Sequence, residues 1–347
     1  MVKERKIGCM IHHYGKKYEQ LGRCARESFI KFHPDIPLHH INEKNQDDLK
    51  CSAASSWDPS IFKYMAAYEL MIKYKYDKMI ILGADTITCA RLDEFIDDKA
   101  KEDILVTLNY LSDQPKGHAT RLYPYYLFDE EKTAVVSDIK DYNSDVICFN
   151  NPAALKAVIE KSHAHRHVLM NRYLGRELED FLKEEFKRPI FVGPRLHHDE
   201  YTEFLNKIIE KDPTQIVGAV EYYAEMAGLN IVIFLGDFIF RCVDGPYDES
   251  DIIYNVRAKG NVSPQIGEKP WAPYVKEFYV KEDKLYTGDN KQIKVWHYCE
   301  GFGNLEVNDF VELLNLWIGK WFNKETKDFF TNHCDCGDFF QKEFKLE

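Results

Sequence analysis

The chain has 347 residues, enough for one large domain or two ordinary ones with a sizeable core. Hydrophobic residues make up 45% and charged residues 30%, which excludes a disordered or collagen-like chain. Its 46 Lys and Arg against 57 Asp and Glu leave a net charge of −11, which excludes broad binding to a nucleic-acid duplex, since that needs basic side chains against phosphates.

Met1 to Lys6 is charged, and the apolar stretch after it breaks at His12-His13, so no export signal is expected. Nine scattered cysteines, an odd number, then predict free thiols in a reducing cytosol. Ile7 to Ile11 predicts a first strand. Leu21, Cys24, Ala25, Ser28, Phe29 and Phe32 recur at helical spacing, and His33-Pro34-Asp35 ends that helix. Leu38 to Ile41 is the next strand. Asp58-Pro59 opens a helix with an N-cap acid and a proline at the first helical position. Its predicted apolar face is Ile61, Tyr64, Met65, Tyr68, Met71 and Ile72.

Lys78 to Leu82, Ile104 to Leu108 and Val146 to Phe149 predict buried strands. Asn151-Pro152 repeats the cap-plus-proline device for a helix through Ser162. Residues 163–212 are polar and helix-rich in composition, and are expected to form a helical insertion, a candidate acceptor region. Strand-like runs return at Gln215 to Ala219, Ile231 to Phe234, Tyr274 to Val280 and Ile293 to His297. A last helix is expected from Asn308, with Phe310, Leu313, Leu314, Trp317, Ile318 and Trp321 on one face. The most apolar run, Leu229 to Phe240, contains Asp237 and is too short to span a bilayer.

Strands alternating with helices predict an α/β fold with a mostly parallel, Rossmann-like central sheet flanked by helices. Such sheets bind ligands beyond the carboxyl ends of their strands. The residues after Ile11, Leu82 and Phe149 are the places to look. Ile80-Ile81-Leu82-Gly83-Ala84-Asp85-Thr86 is the most telling of these. A carboxylate at a strand end can hold a hard divalent cation, which can bridge a diphosphate. The plain alternative is a surface Asp that caps the next turn.

That stretch, from Tyr76-Asp77-Lys78 through Asp85-Thr86 to Leu92-Asp93-Glu94-Phe95, resembles the metal-binding motif of nucleotide-sugar glycosyltransferases of the GT-A fold, closest to the retaining glycosyltransferase family 8. Gly83 stands where the family has the first Asp of Asp-x-Asp-Thr, so only Asp85 remains of the pair. Tyr142-Asn143-Ser144-Asp145-Val146 resembles the family's Asn-Ala-Gly-Val strand, with Asp145 in place of Gly. Glu225-Met226-Ala227-Gly228-Leu229-Asn230 resembles its Asp-Gln-x-x-Leu-Asn segment, with Met226 in place of Gln. Val295-Trp296-His297-Tyr298-Cys299-Glu300-Gly301 resembles its late His motif. The family's following Lys has no counterpart among Phe302, Gly303 and Asn304.

The resemblance spans roughly residues 5 to 330. It implies a GT-A-like catalytic domain over 1–306, with the 163–212 insertion and a C-terminal helix and tail over 307–347. It implies Asp85 and His297 as metal ligands for Mn²⁺ or Mg²⁺, the nitrogen ligand favouring Mn²⁺. Glu225 and Asp145 become catalytic candidates near the donor sugar. His12, Tyr14, Lys63, Ala84, Asn143 and Gly301 become candidate contacts to the nucleotide-sugar, although for Lys63 a solvated helix face is the expected setting. The implied activity is transfer of a sugar from a nucleotide-diphosphate donor, UDP-linked by resemblance, to a glycan or lipid-linked acceptor, with retention.

Two other readings stand beside it. Gly15-Lys16-Lys17 is a poor version of a nucleotidyltransferase loop. Gly83 and Met226 are what decay to a non-catalytic nucleotide-sugar or glycan-binding relative would leave. His163, His165, His167, the His197-His198-Asp199-Glu200 run and Cys334-Asp335-Cys336 lack the spacing of a zinc site. Arg121 to Tyr126 offers aromatic faces for an acceptor wall, or for ordinary packing. Residues 311–347 hold five Lys against seven Asp and Glu, which disfavours an anionic membrane surface. The expected location is the cytosol, or the cytoplasmic face of a membrane.

Overall fold

A computed structural model describes residues 5–13, 16–42, 44–45, 49, 59–97, 99–108, 142–173, 225–226, 228–233, 235–244, 251–254, 256–257, 278–282, 284–287 and 290–297. Its strands are β1 (Ile7–His12), β2 (Leu38–Ile41), β3 (Lys78–Gly83), β4 (Thr86–Thr88), β5 (Ile104–Leu108), β6 (Tyr142–Phe149) and β7 (Phe240–Cys242), followed by β8 (Ile252–Ile253), β9 (Val256–Arg257), β10 (Phe278–Lys281), β11 (Lys284–Thr287), β12 (Gln292–Ile293) and β13 (Val295–His297). Its helices are α1 (Lys16–Phe32), α2 (Pro59–Tyr74), the short α3 (Asp93–Ile96) and α4 (Pro152–Tyr173). Helical residues also lie within 225–235.

A six-stranded sheet runs β2-β1-β3-β6-β5-β7. Pairings β1–β2, β1–β3 and β5–β7 are parallel, while β6 is antiparallel to both of its neighbours. The fold is therefore α/β with a mostly parallel central sheet flanked by helices, as the alternation of elements predicts. One consequence differs from expectation. Because β6 runs the other way, its first residues, and not those after Phe149, lie beside the carboxyl ends of β1 and β3.

Side chains alternate across the sheet, so β3 divides itself between two cores. Met79 and Ile81 join Phe62, Tyr64, Leu155, Val158 and Leu229 on one face. Ile80 and Leu82 join Ala25, Phe29, Phe95 and Val295 on the other. The opening turn of α2 is buried on every side, from Ile61 to Tyr64, whereas Ile72 is exposed. The predicted stripe on α2 is thus too narrow at its start and too long at its end.

Local chemistry sets the element ends. Asn151 Oδ1 accepts from the backbone N–H of Ala153 and caps α4. That helix runs past Ser162 to Tyr173, across the boundary placed at 163, since no Gly or Pro interrupts it. Ile231 to Phe234, read as strand-like, is helical where described. A four-residue apolar run fits either state, and here tertiary packing decides. Gln215 to Ala219, the rest of the 163–212 insertion, the 306/307 boundary and the helix from Asn308 lie outside the described residues. No helix among the described residues is long and apolar enough to cross a membrane.

Gly228 shows how closely the 225–235 stretch lies on α4. A Cβ there would come within 2.0 Å of Ser162 Oγ, 2.6 Å of Ser162 N and 2.7 Å of Val158 O. Two of those atoms belong to the α4 backbone and cannot rotate away. Gly228→Ala is expected to lower unfolding free energy by about 1–3 kcal/mol in urea titration. Unchanged stability would show that the two helices part easily.

Candidate active site

Strand β3 ends at Gly83, and Ala84 and Asp85 turn the chain directly into β4. Thr86 closes this turn by donating its hydroxyl to Gly83 O at 2.7 Å. Strand β13 pairs antiparallel with β4, with His297 opposite Thr86. That pairing carries a distant residue to the end of β3. His297 Nε2 lies 3.2 Å from Asp85 Oδ1. The His297 side chain is almost wholly buried, while that of Asp85 is partly open. The two are close enough to share one cation.

Among the described residues, no three His, Cys, Asp or Glu side chains gather into a complete metal site. The Asp85–His297 pair fits a cation as two ligands, with the remaining positions left to phosphate oxygens and water.

A second cluster lies beside the first. Lys63, on the buried opening turn of α2, sits among three oxygens. It donates to Asp145 Oδ1 at 2.5 Å and to Ser144 Oγ at 3.2 Å. Glu225 Oε2 is an ion-pair neighbour at 3.1 Å, close but not aligned as a hydrogen bond. Ser144 Oγ in turn donates to Glu225 Oε1 at 2.8 Å. Lys63 is therefore not on a solvated face, as the helix pattern suggested. The apolar stripe gave no sign that this turn is buried on all sides.

Strand β6 makes the cluster possible through an irregularity. Leu105 pairs with Cys148, but Thr107 pairs with Asn143, so β6 spends extra residues opposite this stretch of β5. Bulges of this kind re-aim side chains. Ser144 and Asp145 are consecutive and both reach Lys63. Asn143 is buried, and its Oδ1 accepts from the Asp145 N–H at 2.7 Å, which fixes the turn of the backbone there.

Glu225 is held by its own segment. Asn230 Oδ1 accepts from Tyr142 N, and Asn230 Nδ2 donates to Met226 O, so this asparagine pins the 225–235 stretch to the start of β6. Leu229 and Gly228 complete the contact with the core and α4. Glu225 is buried, with its carboxyl turned to Ser144 and Lys63 and not to an open wall. Asp145 is the more open of the two, with its side chain 30% exposed.

Burial alone would lower the Lys63 pKa, but Asp145 and Glu225 outweigh it and hold the ammonium above its ordinary value. Burial pushes the Glu225 carboxyl up to about 7, against the opposing pull of Lys63. Asp145 is the larger of the two charges that raise Lys63, with Glu225 next. Burial also raises Tyr64, whose hydroxyl faces Glu225 and Ser144.

At the end of β1, the His12 ring packs on Phe62 with centroids 5.5 Å apart. Its pKa falls to about 3, first through burial and then through the charge of Lys63, so it is neutral at ordinary pH. His13 is buried, with Nδ1 2.8 Å from His40 Nε2. Ala84 is buried in the turn before Asp85. Tyr14 and Gly301 lie outside the described residues. Sequence reading missed Ser144 as the link between Lys63 and Glu225, although it sits inside a quoted motif. It also missed Asp244, a buried carboxylate that accepts from Leu108 N and Tyr254 N and ties the ends of β5 and β7 together.

No family model matches the chain, and no curated protein matches it. Solved structures that resemble it include the galactosyltransferase LgtC in complex with donor and acceptor sugar analogues, at 12% identity and TM-score 0.36, covering 91% of this chain and 96% of that one. Another is a glycosyltransferase involved in glycosylation of the major capsid of PBCV-1, at 12% identity and TM-score 0.30, covering 63% and 98%. A third is the glycosyltransferase GlyE of Streptococcus pneumoniae TIGR4, at 11% identity and TM-score 0.28, covering 69% and 66%. At such scores function has to come from the site itself.

Two measurements check the charge arrangement. Lys63→Met leaves Asp145 and Glu225 facing each other without a cation, and is expected to cost about 3–5 kcal/mol of stability. Glu225 binds its proton more tightly folded than unfolded, so the unfolded chain gives up that proton first as pH rises. Wild-type stability should therefore fall, relative to Glu225→Gln, from about pH 4.5 to about pH 7, and then level off. Parallel stability profiles for the two proteins would contradict this.

Proposed function

We propose that the protein is a metal-dependent glycosyltransferase that moves a sugar from a nucleotide-diphosphate donor, UDP-linked by resemblance, to a hydroxyl of a glycan or lipid-linked acceptor. The observation that carries the proposal is the meeting of Asp85 and His297 at 3.2 Å, at the carboxyl ends of the sheet, beside the buried Lys63 cluster. Such a site suits a reaction whose difficulty is a charged leaving group. The bond from the anomeric carbon to the diphosphate oxygen breaks, and a bond to the acceptor oxygen forms. The acceptor's proton leaves with the diphosphate or passes to a nearby carboxylate.

Asp85 and His297 would hold Mn²⁺ or Mg²⁺. When bound, the cation neutralises charge on the departing diphosphate. His12, neutral and set on Phe62, offers a flat ring at the end of β1 where a base would lie. Asn143 and Ala84, both buried, remain proposed contacts to the nucleotide-sugar. Lys63 fixes Asp145 and Glu225 on the side of the site where the sugar would sit, and a fixed charge stabilises developing positive charge without reorganising. Retention of anomeric configuration follows from the family 8 resemblance alone. The proposed setting is the cytosol, or the cytoplasmic face of a membrane.

A panel of nucleotide sugars with Mn²⁺ tests the proposal. Release of the nucleoside diphosphate is expected, and Asp85→Asn should reduce it by at least about a hundredfold while the protein stays folded. Pyrophosphate release would favour a nucleotidyltransferase. Binding without release of either product would favour a non-catalytic relative.

A further inference from the structure

Two of the departures from the family pattern, Gly83 and Asp145, face each other. Leu82 pairs with Val146 in the antiparallel β3–β6 ladder, which sets Gly83 opposite Asp145. Directly opposed residues project to the same face of a sheet. Here that face is the one covered by α2, since Ile81 and Ile147 share the core with Phe62 and Tyr64. A Cβ on residue 83 would lie 2.9 Å from Asp145 Cβ, 3.3 Å from Asp145 Cγ and 2.9 Å from Asp85 Oδ1. A side chain at 83 and the present Asp145 side chain therefore compete for one space, and Asp85 borders it.

Resting on the function proposed above, we infer that Asp145 is a transposed carboxylate. The acid absent from position 83 has moved across the strand pair to 145, and there supplies the second negative charge of the cation–diphosphate site. Three features support this role over simple pairing with Lys63. Asp145 is the most open carboxylate of the Lys63 cluster, at 30% exposure. Only Oδ1 is engaged by Lys63, and the backbone of Asp145 is fixed by Asn143, so the group is aimed and not loose. Asp145 and Asp85 also border one space, since a Cβ on residue 83 would meet both. Lys63 offsets the extra acid, and a bound cation would feel the Asp145 charge across the gap at Gly83.

The test moves the carboxylate back. Wild type, Asp145→Asn, Gly83→Asp and the double variant Gly83→Asp/Asp145→Gly are compared. Affinity is measured for Mn²⁺ by electron paramagnetic resonance, and for whichever of UDP, GDP, ADP and CDP wild type binds, with Mn²⁺ and with EDTA. Asp145→Asn keeps the shape and an oxygen for Lys63 but loses the charge. It is expected to weaken Mn²⁺-dependent nucleotide binding about tenfold or more, with binding in EDTA unchanged. The double variant should recover to within a few-fold of wild type. Gly83→Asp alone should lower the melting temperature, and adding Asp145→Gly should restore it. Wild-type Mn²⁺ affinity in Asp145→Asn, or Gly83→Asp tolerated without any loss of melting temperature, would overturn the transposition while leaving the glycosyltransferase proposal intact. Failure of wild type to bind any nucleoside diphosphate with Mn²⁺ would remove both.

Discussion

A buried ammonium organises this site. Lys63 lies on α2, Ser144 and Asp145 on β6, and Glu225 on the 225–235 stretch, so one charge ties three elements together. An unpaired ammonium at that depth would be very costly. The surrounding structure is arranged to avoid it. The irregular β5–β6 pairing delivers two consecutive acceptors. Asn230 and Gly228 hold Glu225 in reach from the far side. Replacing such a network with apolar groups often stabilises a protein, so its presence argues for function more than for stability.

The second pair depends on a different device. Asp85 and His297 are far apart in the chain and meet because the small β4–β13–β9 sheet hangs directly off the end of β3. The turn at Ala84-Asp85 leaves no slack between the large sheet and the small one, and Thr86 locks it. Asp85 sits in the two-residue turn between β3 and β4 and His297 on β13, and the buried cluster lies at the same strand ends.

Much of this fold was legible in the sequence. Apolar runs of strand length marked β1, β2, β3 and β5, and Asn151-Pro152 and the Pro59 signal marked helix starts. The direction of β6 was not legible, because an apolar run carries no sign of parallel or antiparallel pairing. That hid the fact that Tyr142 to Asp145 is the site-facing end of the strand. Lys63 was misread because helical periodicity counts apolar residues and cannot see a lysine buried against carboxylates from elsewhere. The expectation that Asp85 and His297 meet came from motif order. Their contact depends on strand pairing between β4 and β13, which spacing alone cannot supply. Met226, where the resemblance has a Gln, is buried.

The account stands or falls on one shared cation between Asp85 and His297. Anomalous diffraction at the manganese edge, from crystals holding Mn²⁺ and the bound nucleoside diphosphate, measures this directly. A single peak is expected about 2 Å from both an Asp85 carboxylate oxygen and His297 Nε2, with diphosphate oxygens completing the shell. A bound nucleotide with no manganese between these two residues, or with the ion held elsewhere, would contradict it.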